Sequence, residues 1–311
     1  MPKVSVILPS YNHEPYLPQT IKSILGQSFA DFELIIIDDF SQDKSREIIE
    51  DFKKKDERIS YHFHKANQGI AFSLNEGIGL ARGEYIAYCS SDDIWERERL
   101  KTGLEAMEKH PEIGFLHSEA LVIDSEGKPT GKRFSSLYPS PTGSYSGDLF
   151  QVLLQRNIIC GSSILFRKSA SLGLSFSEEL KYLNDWLYYL EFSERSRFYY
   201  LPQPLVRYRV HGGNTWLDSQ GYAKDYLLLL KIIGEKYPEI KEKGEILAEL
   251  YCDAGYFLCL SGEVREGRGY LLQALKSQPF KLKPLLLALL SMPGSKFFRT
   301  AVRLRNTFKK P

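Results

Sequence analysis

Residues 33–45 read ELIIIDDFSQDKS, and this stretch decides the fold. It begins as an apolar run with isoleucines at positions 35–37, which is typical of a buried β-strand. The run stops at Asp38 and Asp39. Adjacent carboxylates repel each other, so a buried strand gains no stability from them. We therefore expect the two aspartates to bind something at the carboxyl end of this strand.

This strand belongs to a regular series in the first hundred residues. Apolar strand-like runs alternate with segments in which apolar residues recur at helical spacing. The strands cover residues 3–9, 33–38, 58–64 and 83–89, and the helices cover residues 15–27, 43–55, 69–81 and 95–110. Later in the chain, residues 114–135 and 158–166 are also expected to form strands with turns. Near-continuous apolar strands that alternate with helices predict an α/β fold with a mainly parallel sheet covered on both faces.

Three polar clusters follow the ends of these strands. They are Pro9-Ser10-Tyr11-Asn12, Asp38-Asp39 and Ser90-Ser91-Asp92-Asp93. In parallel sheets ligands bind beyond the carboxyl ends of the strands, so we expect the three clusters to meet along one edge. This convergence predicts the ligand site.

The residue types at that edge suit a nucleotide and a metal ion. Adjacent carboxylates at Asp92 and Asp93 are ligands that a hard divalent cation prefers, and a cation there would bridge a diphosphate. Asp38 and Asp39 are placed to accept hydrogen bonds from a base or a ribose hydroxyl, and Tyr11 offers a ring for stacking. The chain has neither a GxGxxG nor a GxxxxGK[ST] loop, so the common dinucleotide and P-loop sites lack their sequence motif.

Composition excludes several classes of protein. A net charge of +2 is too small for a dedicated nucleic-acid binder. The four scattered cysteines indicate buried thiols in a reducing compartment. The amino terminus enters a strand directly, and no run reaches the roughly 18 apolar residues of a membrane-spanning helix. We therefore expect a cytoplasmic protein.

The two strand-and-helix runs that start at Val4 and Asn67 carry a family resemblance. VSVILPSYNHEPYLPQTIKSILGQSFADFELIIIDDFSQDKS and NQGIAFSLNEGIGLARGEYIAYCSSDDIW resemble the family 2 nucleotide-sugar glycosyltransferases, over roughly residues 1–215. The resemblance implies a GT-A catalytic domain at 1–215, with a nucleotide-binding half at 1–110 and an acceptor-binding half at 111–215. Residues 216–311 are expected to form a helical C-terminal extension.

The resemblance also implies roles for the residues at the predicted edge. Pro9, Tyr11 and Asp39 would hold the base, while Asp38 would support their loop. The family's DXD motif corresponds to Ser90-Ser91-Asp92-Asp93, with Ser90 where many members have Asp. Asp92 would approach the ribose or the metal, and Asp93 would be the main ligand of Mn²⁺ or Mg²⁺.

A further carboxylate and a histidine complete the site that the resemblance implies. Asp185, in Asn184-Asp185-Trp186, would be the general base that takes the proton of the acceptor hydroxyl. His211 would lie near the diphosphate or the metal. One displacement would invert the anomeric carbon. Because the QxxRW motif and membrane helices of processive members are missing, we expect transfer of one sugar per encounter, from a nucleotide-diphosphate sugar such as a UDP-sugar to a saccharide or lipid-linked acceptor.

Two features of the C-terminal extension add to this interpretation. Residues 247–279 resemble one tetratricopeptide repeat, whose two helices break at Ser261-Gly262. Residues 280–311 combine apolar clusters with basic residues and fit a helix on the inner face of an anionic membrane. A helical pair that packs on the core with a solvated basic face is an equal alternative.

Other functions stay open at this point. A nucleotidyltransferase shares the fold and the metal, but would carry a Gly-rich basic loop after the first strand. A non-catalytic scaffold derived from a transferase is the second alternative. At single positions, a helix cap is the alternative role of Asp38-Asp39, Asp92-Asp93 and Asp185. A place on the surface of one strand is the alternative for Arg207 and Arg209.

Overall fold

The structure, a computed structural model, describes residues 1–214, 217–242 and 244–308. The chain divides into two compact units. The first contains residues 1–153, 157–179 and 184–212, and the second contains residues 154–156, 180–183 and the chain from Gly213 onward. The predicted boundary between 215 and 216 falls on Thr215 and Trp216, which lie outside the described residues.

The first unit holds a sheet and the helices that cover it. Its strands are β1 (Val4–Ser10), β2 (Phe32–Asp38), β3 (Ile59–Phe63), β4 (Tyr85–Tyr88), β5 (Ile94–Trp95), β6 (Ile113–Ile123), β7 (Pro129–Arg133), β8 (Leu165–Arg167) and β9 (Arg197–Arg209). Its helices are α1 (Leu17–Leu25), α2 (Ser45–Lys53), α3 (Ile70–Leu80), α4 (Arg99–Lys109), α5 (Phe134–Leu137), α6 (Phe150–Leu153) and α7 (Asn184–Ser193).

The sheet is mixed and mainly parallel, which confirms the predicted fold class. Its strand order is β3-β2-β1-β4-β8-β6-β9-β5, with β7 paired to β6. Strands β3, β2, β1 and β4 are parallel, β8 is antiparallel to both of its neighbours, and β6 and β9 are parallel. In the register of β1 and β2, Ser10 lies beside Asp38, so the two strands end level.

Helix packing explains why the sequence folds this way around β1. Every residue of β1 and β2 is buried. Helix α1 buries Leu17, Ile21 and Ile24, which share one face at helical spacing. Helix α3 approaches β1 closely at Gly77, where an added Cβ would lie 2.5 Å from Ile7 Cγ2. The absence of a side chain therefore lets α3 lie directly on the strand.

Two predicted segments differ from the structure. The helix expected from Trp95 begins at Arg99, because Ile94–Trp95 pairs with β9 as a short strand. The Trp95 indole N–H also donates to the carbonyl of Ser162, at 2.9 Å. The strand expected at 158–166 is largely a 3₁₀ turn at Gly161–Ser163, followed by the short β8.

The second unit is helical, as predicted for the C-terminal region. It contains α8 (Ser219–Lys236), α9 (Gly244–Ser261), α10 (Val264–Ser277), α11 (Leu282–Ser291) and α12 (Ser295–Phe308). The predicted break at Ser261-Gly262 separates α9 from α10, with Gly262 at a φ of 115° that favours glycine.

Apolar side chains of α9 to α12 pack into one cluster, which includes Cys252, Leu271, Leu287 and Phe298. Residues 309–311 of the predicted basic tail lie outside the described residues. In the part of the chain that is described, none of the helices combines the length and the apolar character needed to cross a bilayer.

Candidate active site

The loop after β1 connects the other two predicted clusters. The backbone N–H of Asn12 donates to Ser41 Oγ at 2.9 Å, and Asn12 Oδ1 accepts from the backbone N–H of Gln42 at 2.8 Å. On its other side, His13 Nδ1 lies 2.6 Å from Ser91 Oγ. The loops after β1, β2 and β4 therefore meet at one edge of the sheet.

Asp38 holds the loop that follows β2. Its side chain is fully buried. It accepts hydrogen bonds from the backbone N–H of Ser41 at 3.0 Å, from Ser41 Oγ at 2.5 Å and from Arg46 Nε at 2.9 Å. All of these partners belong to the protein, so Asp38 fixes the shape of the loop.

Asp39 ties that loop to the start of α3. Its Oδ1 accepts from the backbone N–H of Gln68 at 2.7 Å and lies 2.8 Å from His64 Nδ1. Its Oδ2 accepts from the backbone N–H of Gly69 at 2.8 Å. A carboxylate oxygen has two lone pairs, so Oδ2 keeps one site for a further donor.

His64 lies between two carboxylates. Its Nδ1 faces Asp39, and its Nε2 lies 2.7 Å from Glu76 Oε2. Burial works against the charged ring, but the hydrogen bonds to Glu76 and Asp39 outweigh it and raise the pKa of His64 above its ordinary value. A ring that donates to a carboxylate at both nitrogens is an imidazolium.

Tyr11 and Pro9 differ in their exposure. The Tyr11 side chain is 46% exposed beside these loops and offers a ring face. Pro9 is buried within β1, next to Ile37 of β2. Of these two predicted base-binding residues, Tyr11 is the one with accessible surface.

Three side chains at this edge have ligand atoms close enough to share a metal ion. Ligand atoms of His13, Asp92 and His211 all lie within 4.8 Å of one another, and His211 Nε2 is 3.0 Å from Asp92 Oδ2. Two imidazoles and one carboxylate are ligands for a divalent transition-metal ion, and the carboxylate is the one among them that Mn²⁺ prefers. Ser91 fixes the His13 ring, as groups outside a metal's own ligands often do. Burial lowers the pKa of His13, which favours the neutral ring that a metal requires.

Asp93 has a different environment from its neighbour. It is 1% exposed, and its carboxylate accepts from Ser162 Oγ at 2.5 Å and from the backbone N–H of Arg209 at 2.8 Å. Burial, together with the charge of Asp92, raises the pKa of Asp93 well above its ordinary value. Asp93 was predicted as the main metal ligand, but the group of three ligands contains Asp92 in its place, because Ser162 and Arg209 engage the Asp93 oxygens.

Arg209 is a site residue that the sequence did not reveal. It was predicted as a possible surface residue, but it is 1% exposed. Its Nε donates to the backbone carbonyl of Asp92 at 2.7 Å, and its Nη2 donates to Gln19 Oε1 at 2.8 Å. Its guanidinium also lies 4.9 Å from the centre of the Tyr16 ring. Arg209 therefore anchors the aspartate pair to α1 and β9.

His13, Tyr16 and Ser162 are further residues that the sequence analysis missed. The Tyr16 ring lies 4.7 Å from the ring of His211. A histidine directly after the Pro-Ser-Tyr-Asn cluster was a signal for His13, since imidazole is a common metal ligand. No local pattern indicates Ser162, because its partner Asp93 is 69 residues away in the chain.

Asp185 lies in the first turn of α7 and is partly buried. It accepts from the backbone N–H of Trp186 at 2.6 Å and from Asn157 Nδ2 at 3.2 Å. Burial raises the pKa of Asp185 to about 6 in spite of these hydrogen bonds. A carboxylate with this pKa is well matched to accept a proton near neutral pH.

Asp185 and Asp93 each affect the pKa of a nearby tyrosine. Burial and the charge of Asp185 raise the pKa of Tyr138, and burial, with Tyr138 and Asp93, raises the pKa of Tyr208. Both rings contact Phe134, with ring centres 4.7 and 5.3 Å from its own. Asp185 and Asp93 are thus each close enough to this group of aromatic side chains to raise the pKa of one of its tyrosines.

Comparisons with known proteins identify the family of this chain. Residues 5–172 match the model of the family described as Glycosyl transferase family 2. An uncharacterized glycosyltransferase of Rickettsia bellii is 35% identical over 228 residues, which are 71% of this chain and 31% of that protein. TuaG of Bacillus subtilis, whose name is that of a teichuronic acid biosynthesis glycosyltransferase, is 37% identical over 131 residues, which are 42% of this chain and 52% of TuaG.

Solved structures share the fold at low sequence identity. Staphylococcus aureus TarS 1–349 in complex with UDP-GlcNAc has a TM-score of 0.64 at 20% identity, and the match covers 88% of this chain and 81% of that one. The mannosyltransferase PcManGT of Pyrobaculum calidifontis, in complex with GDP-Man and Mn²⁺, has a TM-score of 0.60 at 18% identity. That match covers 100% of this chain and 88% of PcManGT.

The chain spans about a third of the length of the first curated relatives, at 31–35% of each. The family match nevertheless covers more than half of this chain and includes the loops after β1, β2 and β4. These loops carry Asp38, Asp39, Asp92, Asp93 and His13, whereas Asp185 and His211 lie beyond the matched residues. The chain belongs to glycosyl transferase family 2.

Proposed function

We propose that this chain is a metal-dependent inverting glycosyltransferase that moves a single sugar from a nucleotide-diphosphate sugar to a hydroxyl acceptor. The observation that carries the proposal is the group formed by Asp92, His13 and His211, beside loops that leave Tyr11 exposed. Asp185, with a pKa raised by burial to about 6, supplies the base. We assign residues 1–110 to the donor and residues 111–215 to the acceptor.

Donor binding is assigned to the loops after β1 and β2. Tyr11 stacks on the base, and the remaining lone pair of Asp39 Oδ2 accepts from its edge or from the ribose. Asp38 acts only through the loop that it holds. TarS 1–349 in complex with UDP-GlcNAc and PcManGT in complex with GDP-Man share the fold, which supports a nucleotide-sugar donor for this chain.

Asp92 and His211 would hold the divalent ion, with His13 as a third ligand. Bound there, Mn²⁺ or Mg²⁺ would supply positive charge next to the departing diphosphate. Arg209 keeps the backbone of Asp92 in place, because its Nε donates to that carbonyl. Asp93 is a positioning residue in this proposal, since its oxygens join Ser162 to β9.

Transfer needs one proton acceptor and one displacement. Asp185 takes the proton of the acceptor hydroxyl while that oxygen forms a bond to the anomeric carbon. The bond from the anomeric carbon to the diphosphate oxygen breaks on the opposite face, and its electron pair leaves with the nucleotide diphosphate. A single displacement of this kind inverts the anomeric configuration.

The acceptor is proposed to be a saccharide or a lipid-linked saccharide of surface polysaccharide or glycolipid assembly. Support comes from TuaG, whose name refers to teichuronic acid biosynthesis. The four free and buried cysteines fit a reducing compartment, and we infer a cytoplasmic location on that ground. Membership of the family removes the support for a nucleotidyltransferase.

Donor hydrolysis tests the proposal without knowledge of the acceptor. Water replaces the acceptor, and the release of UDP or GDP is measured over a panel of UDP- and GDP-sugars, with Mn²⁺ or with a chelator. We expect metal-dependent release by the wild type and strongly reduced release in Asp92→Ala at the Mn²⁺ concentration that half-saturates the wild type. Absence of release from every donor would point to the non-catalytic scaffold, and release in the chelator would contradict the metal requirement.

A further inference from the structure

Helix α11 is apolar on two opposite faces. Pro284, Leu287, Ala288 and Ser291 are buried, and Leu287 and Ala288 pack into the core of the helical unit. The opposite face consists of leucines exposed to solvent. We call it the α11 face, which comprises Leu282, Leu285, Leu286 and Leu289 with the flanking Phe280 and Met292.

The α11 face is unusually exposed for its composition. Leu282 is 69% exposed and Phe280 is 97% exposed. The leucines recur at spacings of three and four, so they form one stripe along the helix. A contiguous exposed apolar surface of this kind marks a site of interaction with a protein or a membrane.

The charge of the surrounding segment indicates which of these partners fits. Residues 267–311 contain ten lysines and arginines and no aspartate or glutamate. Among them, Lys276, Lys296 and Arg299 are exposed in the structure. Basic residues near a membrane are attracted to anionic lipid headgroups, while leucine and phenylalanine enter the interface below them.

We propose that the α11 face inserts into the surface of an anionic lipid bilayer. A second copy of the chain fits less well, because a symmetric dimer through this face would bring two all-basic segments together. With ten residues, α11 is too short to cross the bilayer and suits an orientation along its surface. The proposal concerns binding alone and does not depend on sugar transfer.

Vesicle sedimentation of the full chain tests this proposal. Vesicles contain phosphatidylcholine alone or with about one third phosphatidylglycerol, and bound protein is measured in the pellet. The wild type is expected to sediment with the anionic vesicles, and less of it is expected to sediment at high salt. With vesicles of phosphatidylcholine alone it is expected to stay in solution. The double variant Leu282→Gln/Leu286→Gln is expected to bind about ten-fold more weakly.

The matched control is Leu172→Gln, because Leu172 lies in the other unit and is also 69% exposed. It is expected to bind as the wild type does. Circular dichroism verifies that the double variant folds, and Phe280→Ser replaces it if it does not. Equal binding by the wild type and the folded variant would overturn the proposal. The proposal would also be overturned if the wild type formed a dimer that did not bind anionic vesicles and the double variant were monomeric.

Discussion

Adjacent aspartates at residues 92 and 93 have different environments. Asp92 lies with His13 and His211, whereas the oxygens of Asp93 are engaged by Ser162 and Arg209. The two carboxylates also repel each other, and burial favours the uncharged form of Asp93. We infer that Asp92 is a metal ligand and that Asp93 stabilises the fold.

Variants at the two positions are predicted to have different effects. Asp92→Ala should raise the Mn²⁺ concentration for half-maximal donor hydrolysis by about ten-fold or more, with little loss of stability. Asp93→Ala should lower the free energy of unfolding by about 1–3 kcal/mol, because Ser162 and the Arg209 amide lose their partner. Manganese titration and urea denaturation measure the two effects. The same Mn²⁺ requirement in Asp92→Ala and the wild type would contradict the assignment.

Asp185 should set the acid limb of the pH–rate profile. Its pKa is raised to about 6, so the base is protonated and inactive below that pH and active above it. Asp185→Asn should lower the rate of donor hydrolysis by roughly 10²–10⁴-fold and remove this limb. Asp31→Asn, at an exposed aspartate, is the control. A wild-type limb near pH 4 would contradict the raised pKa of Asp185, and a limb that persists in Asp185→Asn would show that another group titrates.

His64 should make stability depend on pH. Its pKa is raised from 6.5, so the stability that it contributes is fully present below pH 6.5 and is lost as the pH rises through the raised value. The charged and titratable groups that face the His64 ring are Asp39 and Glu76. His62 Nδ1 lies 3.3 Å from Glu76 Oε1, the oxygen that does not contact His64. The Arg46 guanidinium contacts the His64 carbonyl.

His64→Gln should lose about 1.5–3 kcal/mol of unfolding free energy near pH 6 and less at higher pH. Urea denaturation over a pH series measures this, with the partly exposed His110→Gln as the control. A destabilisation that stays constant across the series would indicate a packing role without an imidazolium.

At the scale of the elements, α9 and α10 cross where both lack side chains. An added Cβ at Gly267 would lie 2.7 Å from Cys259 Sγ and 2.8 Å from the carbonyl oxygen of Gly255. Gly267→Ala should therefore lower the free energy of unfolding by about 1–3 kcal/mol. Gly269→Ala, two residues along α10, meets nothing within 4 Å and should raise it by about 0.5–1 kcal/mol. Thermal unfolding of the pair tests whether the glycines set this crossing.

Periodicity was sufficient to predict most elements of the first hundred residues. The strands β1 to β4 are buried apolar runs, and the helices between them follow helical spacing, so local sequence determines both. The two-residue β5 was missed, because Ile94–Trp95 becomes a strand only through β9, more than 100 residues away in the chain. Loop geometry at Gly161–Ser163 likewise depends on distant partners.

The candidate site was predictable in position but not in detail. The strands β1, β2 and β4 are parallel, so the loops after their carboxyl ends bring Tyr11, Asp39 and Asp92 to one edge of the sheet. The choice between Asp92 and Asp93 depends on Arg209, 116 residues from Asp93 in the chain. Arg209 ends β9 after the partly buried Arg207 and Tyr208, and only tertiary structure reveals that Arg209 itself is fully buried.

At the scale of the whole molecule, the sheet unit and the helical unit carry separate proposals. The donor and metal site is proposed for the sheet unit, and the membrane-binding α11 face is proposed for the helical unit. Vesicle binding and donor hydrolysis are therefore expected to be lost independently, through Leu282→Gln/Leu286→Gln and Asp92→Ala respectively.

The central claim is that side chains from separate strand ends hold one metal ion against a nucleotide. Its most direct test is a crystal structure grown with Mn²⁺ and UDP, with data collected at the manganese absorption edge. We predict one strong anomalous peak about 2.0–2.6 Å from an Asp92 oxygen and a His211 nitrogen, with the base against Tyr11. A peak bound to Asp93 without Asp92, or bound UDP with no peak at these residues, would contradict it.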